Sequence, residues 1–132
     1  MEGFLAFLLA PRGGEVKERM TIAQVSRQYG LSADTLRYYE KIGLLPPVPR
    51  TKEGIRDYDE CSCRWIELIR DLRSAGVGIE ALLEYTALLR QGDKTALERK
   101  ALLVKQRELM AQDICHRQEM LCRLDQKIEE GE

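Results

Sequence analysis

Aromatic residues and histidine are scarce in this chain: aromatic residues make up 6% of its 132 residues, and there is a single histidine. Without a second histidine, paired carboxylates in a predicted pocket or a glycine-rich phosphate loop, the sequence argues against an enzyme. The cysteines repeat no zinc-finger or zinc-ribbon spacing, and a leucine- and glutamate-rich chain does not resemble a secreted disulfide framework. We therefore expect reduced thiols in a cytoplasmic protein with no bound metal or cofactor.

Long hydrophobic runs are also missing. The apolar run 3-GFLAFLLA-10 is too short to cross a bilayer, and it follows Glu2 rather than a basic segment. We predict neither a signal peptide nor a membrane segment. Residues 1–19 are interpreted as a flexible N-terminal extension, because patterned sequence begins at Met20.

Two short helices separated by a glycine-containing turn are predicted between residues 22 and 43. In the first helix Ile22, Val25 and Tyr29 fall on one face, and a glycine ends each helix. Ser32 is a candidate N-cap for the second helix. This order of elements is the sequence form of a helix-turn-helix.

The next stretch, 46-PPVPRTKEGIRDYDE-60, contains three prolines and then a glycine turn between short extended pieces. This pattern predicts a small β-hairpin, or wing, with Lys52 at its tip and Arg50 and Arg56 on its arms. Two further helices are predicted over residues 60–76 and 79–92.

One long helix is predicted from Lys94 to Glu129, which contains neither proline nor glycine and would extend roughly 50 Å. Its apolar residues follow a 4-3-4 spacing interrupted by Arg107 and Arg117. A lone helix with one apolar stripe requires a partner, and a two-stranded coiled coil with a second copy is the economical answer. The spacing alone leaves parallel and antiparallel pairing open. The predicted dimerisation residues are Leu103, Met110, Ile114, Leu121, Leu124 and Ile128.

The formal net charge is −1, but residues 20–58 carry six basic and four acidic side chains, so the positive excess lies in the front half. The second helix of a helix-turn-helix enters the major groove of DNA. There Arg37 can fork to guanine or phosphate and Tyr38 can reach a phosphate oxygen, whereas Tyr39 is expected to pack beneath the helix with Leu36. The predicted DNA-binding residues are Ser32, Thr35, Arg37, Tyr38, Lys41, Arg50, Lys52, Arg56 and Tyr58.

The stretch from Met20 to Glu60, with TLRYYEKIGLL followed by GIRDY, resembles the MerR family of bacterial transcription regulators, and the likeness continues to about Glu129. The resemblance implies a mainly α fold: a winged helix-turn-helix head over residues 20–92, a dimerisation helix over 93–129 that forms an antiparallel coiled coil, and a tail over 130–132. It also implies a homodimer that binds palindromic promoter DNA with an over-long spacer. Such a dimer distorts the promoter for RNA polymerase in response to a stress or small-molecule signal.

The signal itself is left open. Metal sensors of the family carry a cysteine at the start of the dimerisation helix, where this chain has none. The stretch 65–85 is similar to the aldehyde- and thiol-stress branch, which commonly has a cysteine where this chain has Asp71. Cys61 and Cys63 lie near a helix start, a position that can mildly stabilise a thiolate, although a purely structural role is the favoured interpretation. Two alternatives therefore remain: a sequence-indifferent architectural DNA binder or coiled-coil adaptor, and a thiol or metal sensor that uses Cys61, Cys63, Cys115 and Cys122.

Overall fold

The computed structural model describes residues 19–131, which form five α-helices and one short 3-10 turn, Asp93–Thr95. The predicted mainly α fold is confirmed. Residues 1–18, nearly all of the predicted N-terminal extension, lie outside the described residues, as does Glu132. The helices are α1 (Ile22–Tyr29), α2 (Ala33–Lys41), α3 (Glu60–Ser74), α4 (Ile79–Arg90) and α5 (Ala96–Glu130).

Local sequence sets the ends of α1 and α2. The Thr21 side chain accepts a hydrogen bond from the Gln24 amide, and the Gln24 side chain accepts one from the Thr21 amide, which completes a capping box. Gly30 then ends α1 in the left-handed region, with φ of 67°. The predicted helix-turn-helix boundaries are confirmed.

The wing is a turn closed by one antiparallel bridge between Arg50 and Arg56 rather than a hairpin of continuous strands. The Thr51 amide donates to the Ile55 carbonyl at 2.8 Å, and Gly54 takes a φ of 85° at the turn. Because the three preceding prolines lack amide donors and fix φ, the arms are too short for a longer ladder. The predicted wing is present in this reduced form.

A second bridge joins Met20 to Tyr58 and fastens the start of the described chain to the end of the wing. Each of the two residues donates its amide to the other's carbonyl at 2.9 Å. Arg19 adds a hydrogen bond from its Nη1 to the Asp57 carbonyl at 3.3 Å. The last residue of the predicted extension is therefore attached to the head.

The core of the head collects one apolar face from each of α1 to α4. On α3, Trp65, Ile66 and Ile69 are buried, and Leu36 of α2 and Leu82 of α4 pack in the same cluster. Each buried side chain of this size contributes roughly 1.5–3 kcal/mol relative to an exposed one. This packing holds α2 in a fixed orientation on the head.

Thr95 connects the head to α5. Its hydroxyl lies 2.8 Å from the carbonyl oxygens of Leu88 and Gly92, and it accepts a 3.0 Å hydrogen bond from Nε of Arg99. Thr95 is buried, so these bonds are shielded from water. The end of α4 and the first turn of α5 are therefore fastened together.

The first turns of α5 pack against α4, and the rest of the helix extends away from the head. Leu103 is half-buried, while the other five predicted seam residues are exposed, from 38% at Met110 to 74% at Ile128. None of the helices within residues 19–131 combines the length and the apolarity that a membrane crossing requires. The long helix thus presents an uncovered apolar seam to solvent.

Candidate nucleic-acid interface

The two adjacent tyrosines of α2 point in different directions. Tyr38 is 51% exposed, whereas Tyr39 is 7% exposed and belongs to the core. Their ring centroids are 6.3 Å apart with an interplanar angle of 48°. The prediction that Tyr39 packs beneath the helix is confirmed, and Arg37 and Lys41 share the exposed surface with Tyr38.

Hydrogen bonds within the first turn of α2 order its exposed side chains. The Ser32 hydroxyl accepts the Thr35 amide at 3.1 Å and donates to the Thr35 hydroxyl at 2.8 Å. Asp34 Oδ1 accepts from Nη1 of Arg37 at 3.0 Å. Since the other guanidinium nitrogens of Arg37 remain available for a ligand, this pairing orients the side chain without consuming it.

Glu40 joins α2 to the wing, a role that sequence reasoning missed. Its Oε1 accepts Nε of Arg56 at 2.7 Å, and its Oε2 accepts the Val48 amide at 2.9 Å. Burial by itself would raise the pKa of Glu40, but the hydrogen bonds from Arg56 and Val48 and the charges of Arg56 and Arg50 hold it below its ordinary value. We call the trio of Glu40, Val48 and Arg56 the Glu40 clamp.

The wing presents a different set of side chains from the one predicted. Lys52 is exposed at the tip, and Arg50 is exposed with Nη1 donating to the Gly54 carbonyl at 2.8 Å. Arg56, by contrast, is 22% exposed and uses Nε in the Glu40 clamp. Ile55, which was not predicted, is 60% exposed at the tip. The accessible cations of the wing are therefore Arg50 and Lys52.

Tyr58 must be removed from the predicted DNA-binding residues. Its side chain is fully buried, with 0% exposure, because the bridge to Met20 turns it into the core. Burial raises the pKa of its hydroxyl. A side chain enclosed in this way supports the interface from beneath and does not reach a phosphate.

Arg90 ties α4 to the end of α2 and is a second residue that sequence reasoning missed. Its Nη2 donates to the Gly43 carbonyl at 2.8 Å and to the Leu44 carbonyl at 3.2 Å. Its guanidinium also lies 5.4 Å from the centroid of the Trp65 ring. These contacts satisfy carbonyls at the end of α2, and no helical periodicity signals them.

The thiols of α3 are not stabilised as thiolates, so the helix start does not have the effect considered for Cys61 and Cys63. Cys63 is 2% exposed, and burial raises its pKa to about 11; burial likewise raises the pKa of Cys61. Desolvation of the charged form outweighs any favourable effect of the helix start. Cys115 and Cys122 are exposed on α5, and residues 19–131 contain no group of three side chains suited to hold a metal ion.

We expect the four thiols to be alkylated at different rates, according to how exposed each one is. At pH 7.5 fewer than about one in a thousand Cys63 side chains is ionised, so iodoacetamide should modify Cys115 and Cys122 long before Cys63. Peptide mass spectrometry over a time course measures the rates, and the same reaction in guanidinium chloride is the control in which all four should react. Rapid modification of Cys63 in the native protein would contradict its burial.

Replacing Glu40 with glutamine should lower the free energy of unfolding by about 1–3 kcal/mol, because the charge that holds Arg56 is lost within a mostly buried pair. DNA affinity should fall as well, since the wing is no longer fixed to α2. Urea denaturation and a binding titration measure the two effects. The control is Glu53→Gln, the same change at the exposed wing tip; equal behaviour of the two variants would contradict the clamp.

The clamp also has a defined pH dependence. Because the folded pKa of Glu40 is lowered, its stabilisation is fully present above the ordinary value of 4.5 and is lost as the pH falls through the lower folded value. The difference in stability between the parent protein and Glu40→Gln should therefore shrink below pH 4.5. Denaturation midpoints at pH 7 and below pH 4 check this.

Together these contacts hold α2 and the wing next to each other, with their exposed side chains on one surface. Helix α2 supplies Arg37, Tyr38 and Lys41, and the wing beside it supplies Arg50 and Lys52. Guanidinium, ammonium and phenol groups on a fixed helix suit the phosphates and base edges of a DNA groove. The short hydrogen bonds of the Glu40 clamp hold the wing against α2. The basic side chains of both elements are therefore presented together.

Comparisons with known proteins agree with this geometry. The model of the MerR HTH family of regulatory proteins matches residues 20–88. The HTH-type transcriptional regulator AdhR of Bacillus subtilis (strain 168) is 56% identical over 89 residues, which span 67% of this chain and 64% of AdhR. The aligned part is thus less than two thirds of that relative.

Two solved structures are also similar. A MerR family transcriptional regulator from Listeria monocytogenes has a TM-score of 0.71 and 47% identity, covering 83% of each chain. HiNmlR, a MerR family regulator lacking the sensor domain and bound to promoter DNA, has a TM-score of 0.67 and 30% identity. That likeness covers 83% of this chain and 87% of HiNmlR.

Proposed function

Because the chain belongs to the MerR HTH family of regulatory proteins, we propose that it is a transcriptional regulator that binds a palindromic promoter operator as a homodimer. In this proposal it changes transcription by distorting the promoter spacer in response to a stress or small-molecule signal. We place its action in the bacterial cytoplasm. It affects RNA polymerase indirectly, through the promoter DNA. The observation that carries the proposal is the exposed surface of α2, held rigidly on the head by Tyr39 and the Glu40 clamp.

In this proposal, residues on α2 contact the major groove and the adjacent phosphates, and residues on the wing contact DNA beyond the groove. Arg37, 49% exposed and steadied by Asp34, faces base edges or a phosphate in the major groove. Tyr38 and Lys41 reach the adjacent backbone, and the Ser32 and Thr35 hydroxyls lie at the helix start, where the helix dipole favours a phosphate. Arg50 and Lys52 extend the contact beyond the groove.

Homodimerisation is supported by the uncovered seam of α5. Ile114, Leu121 and Leu124 are each more than half exposed, and an apolar stripe of this length on a helix is normally covered by a partner. A two-stranded antiparallel coiled coil covers both seams at once. A two-fold dimer places two heads on half-sites about 34–36 Å apart, or multiples of that distance, which is why a palindromic operator is expected.

DNA distortion follows from two rigid heads held at a fixed separation. If the half-sites are spaced differently from the heads, the DNA must bend or twist to satisfy both, at a cost of order 1–6 kcal/mol. Contacts at both ends offset that cost. The similarity to HiNmlR, whose structure is bound to promoter DNA, supports duplex DNA as the ligand.

Footprinting on the promoter DNA upstream of the protein's own gene tests the proposal. A bounded, palindromic protected region and a complex that survives about 200 mM salt are expected, because base contacts add to the salt-sensitive phosphate contacts. Protection without boundaries would instead favour a sequence-indifferent architectural binder. Absence of any complex at that salt concentration would overturn the proposal.

A further inference from the structure

The turn that follows α2 is held from two sides. Its amides are bonded back to the helix, since those of Leu44 and Leu45 both donate to the Tyr39 carbonyl at 3.0 Å. Its carbonyls are bonded to α4 instead, since those of Gly43 and Leu44 accept Nη2 of Arg90 at 2.8 and 3.2 Å. Because the backbone bonds join the turn to α2, the bonds of Arg90 fix the end of α2 against the end of α4.

Trp65 of α3 helps to hold the Arg90 guanidinium in place. The guanidinium carbon lies 5.4 Å from the centroid of the Trp65 ring, and Trp65 is 2% exposed. Burial lowers the pKa of Arg90 from its ordinary value, because the charged form is partly removed from water. Hydrogen bonds that are shielded from water are stronger than exposed ones. Arg90 therefore forms a defined connection among α2, α3 and α4.

Arg90 also lies on the part of α4 that Thr95 fastens to α5. The Thr95 hydroxyl is 2.8 Å from the carbonyl oxygens of Leu88 and Gly92, which precede and follow Arg90 in the sequence. Two side chains, those of Arg90 and Thr95, are thus enough to connect the end of α2 with the first turn of α5.

Helix packing connects α2 with α5 less directly. Helix α2 packs on α1, α1 on α3, α3 on α4 and α4 on α5, so this route passes through three intermediate helices. Packed helices can slide slightly past one another at each interface. The hydrogen bonds of Arg90 to two consecutive carbonyls bypass α1 and α3, and they leave less freedom for such sliding.

We propose that Arg90 determines which operator spacer length the dimer accepts, because it holds each α2 in one orientation relative to α5. The inference rests on the proposed dimer and operator, and it adds the residue that makes the dimer selective for one spacer. Adding or removing one base pair between two half-sites rotates one of them by about 35° around the DNA axis. Heads that are fixed to α5 cannot follow that rotation, so the DNA must twist or one head must detach.

Operators of three spacer lengths test the proposal. Fluorescence anisotropy compares the footprinted operator with versions that have one central base pair more or fewer, and with a duplex that holds a single half-site. The parent protein should bind both altered operators at least about tenfold more weakly than the natural one, because twisting DNA costs free energy. Arg90→Gln removes the forked donor and its charge. It should reduce that ratio to about threefold or less, with half-site affinity within about twofold of the parent value.

Two further variants control for charge and for folding. Lys94→Gln removes one positive charge from the exposed 3-10 turn at the same end of the head, and it should distinguish the spacers as the parent protein does. Arg90→Lys keeps the charge beside Trp65 but loses the planar fork, so its spacer ratio should lie between those of the parent protein and Arg90→Gln. It also carries the test if circular dichroism shows that Arg90→Gln does not fold.

The outcomes separate the role of Arg90 from the proposed function. A parent protein that binds no palindromic operator would overturn both. Equal spacer ratios in the parent protein and a folded Arg90 variant would overturn only the role of Arg90. Half-site and operator affinities that fall by the same factor would overturn it too, because Arg90 would then merely stabilise the head. Loss of spacer selectivity in Lys94→Gln would assign the effect to charge instead.

Discussion

Arg37→Ala is expected to weaken operator binding about 10- to 100-fold while leaving the fold intact. Arg37 is the exposed guanidinium at the centre of α2, and its removal would delete the proposed forked contact to a base edge or phosphate. Its ion pair with Asp34 is exposed, so losing that pair should change the free energy of unfolding by only about 0.5 kcal/mol or less. Fluorescence anisotropy with the footprinted operator measures the affinity.

Two further variants sharpen the Arg37 result. Arg123→Ala removes the same charge from α5, far from the head, and should bind the operator as the parent protein does. Arg37→Lys keeps the charge but loses the planar fork, so it should retain affinity for unrelated DNA better than affinity for the operator. Equal operator affinity of Arg37→Ala and Arg123→Ala would remove Arg37 from the interface.

Ile114→Lys combined with Leu121→Lys is expected to convert the protein to a folded monomer and to reduce operator affinity by more than about 100-fold. Both side chains are exposed in the single chain, at 51% and 59%, so their replacement leaves the core of the head untouched. Two lysines in each seam would bury four unpaired charges in the dimer. Loss of the second head removes the gain from two-site binding.

A matched control exists one residue further along the helix. Cys115→Lys with Cys122→Lys adds the same charges at the same spacing, but on a face turned away from the seam. This variant should remain dimeric and bind the operator. Sedimentation velocity and circular dichroism report assembly and folding for both variants; a dimeric Ile114→Lys, Leu121→Lys protein would show that the seam is not the dimer interface.

Structural features that depend on residues close together in the sequence were predictable. The capping box at Thr21, the stop at Gly30 and the burial of Tyr39 follow from caps, glycine and helical spacing, each of which spans only a few positions. The length of α5 follows from a long run without proline or glycine, and its apolar seam follows from the 4-3-4 spacing of its apolar residues. For these elements local chemistry and the final fold agree.

Features that depend on distant residues were not predictable. Glu40 and Arg56 are sixteen positions apart, and only the folded wing brings them to 2.7 Å. Tyr58 was predicted among the DNA-binding residues, yet a bridge to Met20 buries it. The raised pKa of Cys63 has the same origin, because burial is a property of the assembled helices.

Because Thr95 attaches the first turn of α5 to α4, a small rotation at this end of α5 produces a large displacement at the other end. The helix has 35 residues, so it is about 52 Å long, and the hydrogen bonds of Thr95 prevent its first turn from moving independently of α4. A tilt of about 4° at that end moves the far end by roughly the 3.4 Å that separate stacked base pairs. In the proposed dimer, a ligand that repacks side chains near Thr95 would therefore shift the two heads relative to each other by an amount comparable to one base-pair step.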